Sequence, residues 1–139
     1  MDVAAPPERV WGALTAYMGG SSRRSEAGAA LLGCRERSAT GSLDRAGSAI
    51  PGFRVDRASP GAELALAGRH RFSSYALTFV LEPLGPGRTR LRAVTHAAFP
   101  GVAGTAYRAL VIGTRLHVAA TTAMLRGVRR AAESSKRAD

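Results

Sequence analysis

The sequence predicts one α+β domain in which an antiparallel β-meander sits between an N-terminal helical region and a long C-terminal helix. Three observations predict it. Val10, Leu14, Tyr17 and Met18 recur at helical spacing, the apolar period changes to two between Phe53 and Ala98, and the helical period returns from Gly101 to about Glu133. The chain has 139 residues, enough for one core and one domain, residues 1–139. With 45% apolar and 22% charged residues, a disordered or fibrous chain is excluded. The single Cys34 rules out a disulfide framework.

Met1–Val3 can only be the tail of a strand, because Pro6-Pro7 stops it. Pro7 suits the first turn of a helix, where its missing N–H costs nothing, and Glu8 complements that end of the dipole. Gly19-Gly20 and Ser21-Ser22 end the segment. Glu26–Cys34 is expected to form a second short helix, with Ala27, Ala30, Leu31 and Cys34 on one face. The Ser- and Gly-rich stretch up to Gly52 reads as loop with one short strand.

Strands are predicted at Phe53–Asp56, around Leu64 and Leu66, at Phe72–Glu82 and at Arg88–Ala98. The turns SPGA and PLGPG punctuate them. Tyr75, Leu77, Phe79 and Leu81 share one face of the third; Leu91, Ala93 and Thr95 share one face of the fourth. Short turns between successive strands make an antiparallel sheet with one face covered. Phe99-Pro100-Gly101 closes it. The helix that follows, some 30 residues, would span about 45 Å. Tyr107, Leu110, Val111, Thr114, Val118, Thr121, Leu125 and Val128 form its main face, and Ile112 and Leu116 lie opposite. A second apolar side needs a cover, either the N-terminal helices or another subunit.

The balance of 20 Lys+Arg against 10 Asp+Glu gives a net charge of +10. Such a charge suggests nucleic acid, an anionic membrane or an acidic substrate. Yet only Lys136 is lysine, a bias that GC-rich coding produces, and the arginines are scattered as singles and pairs. Aromatics are 6%, too few for a base-stacking platform, so nucleic acid is not the expected partner. The opening MDVAAPPERV lacks the pattern of a secretory signal, and the longest apolar stretch is interrupted by Arg108, Arg115 and His117. No membrane span and a cytoplasmic location are the expectations.

The residues VAAPPERVW resemble the opening of the START-like superfamily, also called SRPBCC. LALAGRHRFSSYALTFVLEP followed by THAAFPGVAGTAYRALVIGTRLH resembles a small bacterial branch of it, close to polyketide cyclase/dehydrase-like proteins. The resemblance covers most of the chain and is weak between Arg23 and Gly52. It implies the helix-grip fold: a curved antiparallel sheet wrapped around a long C-terminal helix, with a cavity between them for an apolar or amphipathic small molecule. Family members carry a full first strand before this opening, whereas three residues precede Ala4 here. Either the start lies upstream, or the first strand is truncated to a stub. A stub would uncover part of a sheet edge and favour a homodimer.

The candidate ligand-binding residues are Arg71, Ser73, Tyr75, Thr95, Tyr107, Thr114, His117 and Thr121. His117 lies one turn from Thr114 and Thr121, a polar set of the kind that orients a ligand in an apolar cavity. A half-buried histidine bonded to a backbone carbonyl is the plainer reading. Tyr107 lies ten residues earlier, about 15 Å along one helix, too far for a dyad with His117. Tyr75 and Thr95 face the core, and a buried tyrosine hydroxyl needs a partner from ligand or protein. Ser73 and Arg71 share Tyr75's parity. An inward Arg71 would favour a ligand carboxylate or phosphate; beyond the strand end it would be solvated. His70, His96 and His117 lack metal-ligand spacing, and no phosphate-binding or nucleophile motif is present, so no metal or cofactor is expected.

Three functions remain open. The first is binding of a hydrophobic or amphipathic small molecule. The second is an enzyme resembling polyketide cyclases or dehydratases, with His117 as acid/base and Tyr75 or Tyr107 positioning a carbonyl. The third is an anionic-surface module using Arg108, Arg115 and Arg126 with Arg88, Arg90 and Arg92. A cavity of about 300 Å³ or more between sheet and helix separates the first two from a filled interior.

Overall fold

Pro6 and Pro7 turn the chain as their chemistry dictates. The Pro6 carbonyl accepts from the N–H groups of Arg9 and Val10, each at 3.1 Å, and α1 (Pro7–Gly20) begins there. The computed structural model describes residues 1–20, 22–113 and 115–134. Before α1 lies β1 (Asp2–Val3), and after it α2 (Ser22–Leu32). The sheet continues with β2 (Ala49–Ile50), β3 (Phe53–Ser59), β4 (Glu63–His70), β5 (Ser73–Gly85) and β6 (Arg88–Ala98). Two helices close the chain, α3 (Gly101–Gly113) and α4 (Leu116–Ser134).

All strand pairs are antiparallel, and the six strands run in the order β1-β6-β5-β4-β3-β2. Register shifts at Val55/Arg57 and Pro83/Gly85 bend the strands that carry them. The result is the expected α+β helix-grip architecture, a curved sheet around a long C-terminal helix. β1 spans two residues. It pairs only with Arg90 and Thr89, and Met1 exchanges two hydrogen bonds of 2.9 Å with Leu91. Beyond Leu91, the outer side of β6 carries no strand among the described residues.

Period-two patterning puts Leu64 and Leu66 of β4, Phe79 and Leu81 of β5 and Leu91 of β6 on the inner face. Val10, Trp11, Leu14 and Met18 of α1 and Val128 and Ala132 of α4 close over them, so the core fills one end of the sheet. Trp11 Nε1–H donates to Asp44 Oδ1 at 2.7 Å and pins the long loop before β2 against α1. The loop contributes Leu43 to the core, and β2 contributes Ile50, which the composition of this stretch did not disclose.

The C-terminal helix differs from the single span predicted. It breaks after Gly113, and Arg115 takes a left-handed conformation with φ of 55°. Gly113 is a poor helix former, and the broken end finds substitute partners. Arg115 N–H donates to the Ile112 carbonyl at 3.1 Å, and His117 Nδ1 lies 3.3 Å from the Val111 carbonyl. The break divides the expected core face. Val128 is fully buried, but Leu110 and Val118 are exposed, and Ile112 and Leu116 are covered by neither α1 nor α2.

Candidate functional site

The opposite end of the sheet from the core is hollow. A cavity of about 480 Å³ lies between β4, β5 and β6 on one side and α3 and the start of α4 on the other. Ser73, Tyr75, Thr95, Tyr107, His117 and Thr121 all line it. One expected member does not join them. Arg71 lies in the β4–β5 turn, exposed, with its guanidinium over the Phe72 ring and against Gly33. Strand β4 ends at His70, so Arg71 never enters the inward register. Thr114 lies outside the described residues.

Antiparallel register assembles the deep wall. Gly68 pairs with Tyr75, His70 with Ser73, and Ala97 with Tyr75 from the other side. The Tyr75 hydroxyl donates to the Gly52 carbonyl at 2.6 Å, and Cys34 Sγ lies 3.8 Å from the same oxygen. The protein itself therefore partners this hydroxyl. Burial raises the Tyr75 pKa well above the usual phenol range, with the neighbouring Cys34 adding to the shift, so it stays protonated. Gly68 is required at this point: a Cβ there would stand 2.2 Å from the Gly52 oxygen and 2.3 Å from Tyr75 Cε2.

His70 is the functional residue that the sequence did not single out. Its ring meets Tyr107 at 5.1 Å and Tyr75 at 5.4 Å between centroids, and Tyr107 stacks on Phe72 at 5.6 Å. The Phe72 backbone N–H donates to His70 Nδ1 at 3.1 Å. An N–H can only donate, so Nδ1 is the unprotonated nitrogen and Nε2 carries the proton. That proton goes to Ser73 Oγ, 3.0 Å away. Burial also lowers the His70 pKa, which keeps the ring neutral. The pair has the spacing of a Ser–His dyad with the opposite polarity: the serine receives a proton and is not activated as a nucleophile. Its own O–H remains to donate into the cavity. The signal available in sequence was parity, since His70 continues the inward series of Leu64 and Leu66.

His117 shows the same logic in reverse. The Val111 carbonyl can only accept, so His117 Nδ1 donates and Nε2 is the ring nitrogen left to face the cavity. Thr121 donates its hydroxyl proton to the His117 carbonyl at 2.8 Å. The Tyr107 hydroxyl makes no hydrogen bond among the described residues, which leaves a phenol free for a ligand. No formally charged side chain lines the cavity. Among the described residues, no three His, Cys, Asp or Glu side chains converge as a metal site would need.

Arg90 bonds Asp2 at 3.0 Å and Arg92 bonds Glu82 at 3.1 Å on the sheet, while Arg108 and Arg115 stand on α3 and at the break. No described helix is long and apolar enough to cross a membrane.

No protein-family model matches the chain, and no curated protein is similar to it in sequence. Solved structures are similar in fold. A Mesorhizobium loti protein solved by X-ray crystallography shares 15% identity over 96% of this chain and 95% of its own, with a TM-score of 0.53. A conserved protein from Geobacillus kaustophilus shares 15% over 97% of this chain and 90% of its own, with a TM-score of 0.51. At such identity the likeness is one of fold alone, the helix-grip architecture of a curved antiparallel sheet around a long C-terminal helix.

Proposed function

We propose that the chain binds a neutral, largely apolar small molecule in the cavity between the sheet and the C-terminal helices. The observation that carries this reading is a space of about 480 Å³ walled by Phe53, Tyr75, Leu77, Phe99 and Tyr107 without a charged lining residue. That volume lies within the usual range for small-molecule sites, and a dry aromatic wall favours a planar ligand. A few uncharged polar groups, Ser73, Tyr107 and Thr95, are placed to orient it.

Nile red, a neutral apolar fluorophore, tests the reading. Saturable one-to-one binding is expected, with loss in Ala120→Trp, which fills the space from an exposed position on α4. No saturable binding to the folded protein overturns it. Native mass spectrometry of protein purified from its own host would then name the ligand class.

The place of His117 in the cavity lining, with Nδ1 held by the Val111 carbonyl, favours a second reading, an enzyme resembling cyclases or dehydratases. His117 would remove a proton while Tyr107 donates to a substrate carbonyl; Tyr75 has already spent its proton on Gly52. His117→Ala should then abolish turnover of an enolisable aromatic ketone and leave Nile red binding intact. Binding without any product in the wild type rejects this second reading.

A further inference from the structure

Helix α3 is apolar on both its inner and its outer side, with Thr105 and Arg108 as exposed polar members, yet only the inner side is packed. Gly104, Tyr107 and Val111 face the sheet, with Tyr107 stacked on Phe72 and a Gly104 Cβ position only 2.8 Å from the Phe99 backbone. The opposite side carries Val102, Ala106, Ala109 and Leu110, all exposed, with Val102 at 91% and Leu110 at 60%. At the start of α4, Leu116 at 60% and Val118 at 50% are also exposed, and Ile112, which lines the cavity, is 43% exposed. A surface helix normally turns a polar face outward. A group of exposed apolar side chains of this size marks a contact site.

The charges beside it select the partner. Arg108 and Arg115, both exposed, are the ionised side chains of α3 and the break. No Asp or Glu occurs anywhere between Glu82 and Glu133, a stretch with Arg88, Arg90, Arg92, Arg108, Arg115, Arg126, Arg129 and Arg130. Two copies meeting here would bring Arg108 and Arg115 of each together with no carboxylate of that stretch to pair them. A bilayer surface instead supplies phosphates for the arginines and hydrocarbon for the leucines, at the same depth.

We propose that the outer face of α3 and the start of α4 docks on anionic lipid bilayers, with the rim of the cavity turned towards the membrane. The docking does not depend on what the cavity binds. The helix lies in the interface and does not span it. Val102, Leu110 and Leu116 enter the acyl boundary while Arg108 and Arg115 reach the phosphates.

Flotation with equimolar phosphatidylcholine–phosphatidylglycerol vesicles, against phosphatidylcholine alone, tests it. The wild type should bind the anionic vesicles and lose affinity steeply with added salt. Val102→Asp/Leu110→Asp, both exposed and so harmless to folding, should bind at least about tenfold more weakly. Arg108→Glu should cost about fivefold or more. Absence of binding to anionic vesicles at low salt overturns the proposal. So does equal binding by the wild type and the double aspartate variant. A wild-type dimer made monomeric by the same aspartates would assign the face to a second copy instead. Duplex DNA binding that the aspartates leave unchanged, with no vesicle binding, would assign the charge to nucleic acid.

Discussion

Replacing Ser73 by alanine tests the proton arrangement at the deep end of the cavity. The Phe72 N–H forces Nδ1 of His70 to accept, Nε2–H donates to Ser73 Oγ at 3.0 Å, and the serine proton is left for a ligand acceptor. A net hydrogen bond contributes about 1 kcal/mol, or about fivefold in affinity. Fluorenone and fluorene share size and shape and differ in one carbonyl. Displacement of Nile red should show fluorenone about fivefold tighter than fluorene in the wild type, and no preference in Ser73→Ala. The variant also strands a buried His70 N–H, at a cost of about 1–3 kcal/mol, which lowers the melting temperature by several degrees. A ketone preference that survives in Ser73→Ala places the donor elsewhere and refutes the reasoning. So does a wild type without preference. Failure of both compounds and of Nile red would count against the cavity reading itself.

Gly68→Ala should destabilise the fold by about 1–3 kcal/mol in urea denaturation, because its Cβ would collide with the Gly52 carbonyl and the Tyr75 ring. Phe79→Ala empties the centre of the core, where Phe79 is fully buried, and should cost about 3–5 kcal/mol by the same assay. Asp44→Ala removes the acceptor of the Trp11 indole and should cost about 1–3 kcal/mol, with a red shift in Trp11 fluorescence. Stability should also depend on His70. Its folded pKa lies below the usual 6.5, so the unfolded chain takes up the proton first and stability falls as pH drops below 6.5. Above that pH the contribution is level, and His70→Gln should flatten the slope between the two pKa values.

Much of the fold was legible because it rests on local periodicity. Leu64, Leu66, Leu77, Phe79, Leu81 and Leu91 declare an inward face by alternation alone, and the Pro6-Pro7 stop sets where α1 begins. The cavity-lining set was legible in part for the same reason, since Tyr75, Thr95, Tyr107, His117 and Thr121 lie on faces that a wheel or a two-residue repeat can find. Arg71 could not be placed by parity, because parity does not tell where a strand ends.

The sequence by itself determined the order of elements and the face of each strand that turns inward. Both follow from the spacing of apolar side chains along one chain. Only tertiary structure decided that the C-terminal helix breaks at Arg115, that His70 joins the cavity wall, and which proton each histidine holds. Those outcomes depend on backbone groups brought together from separate segments: the Phe72 N–H, the Val111 carbonyl and the Gly52 carbonyl. Every residue carries such groups, so no pattern of side chains along the chain reports where they meet.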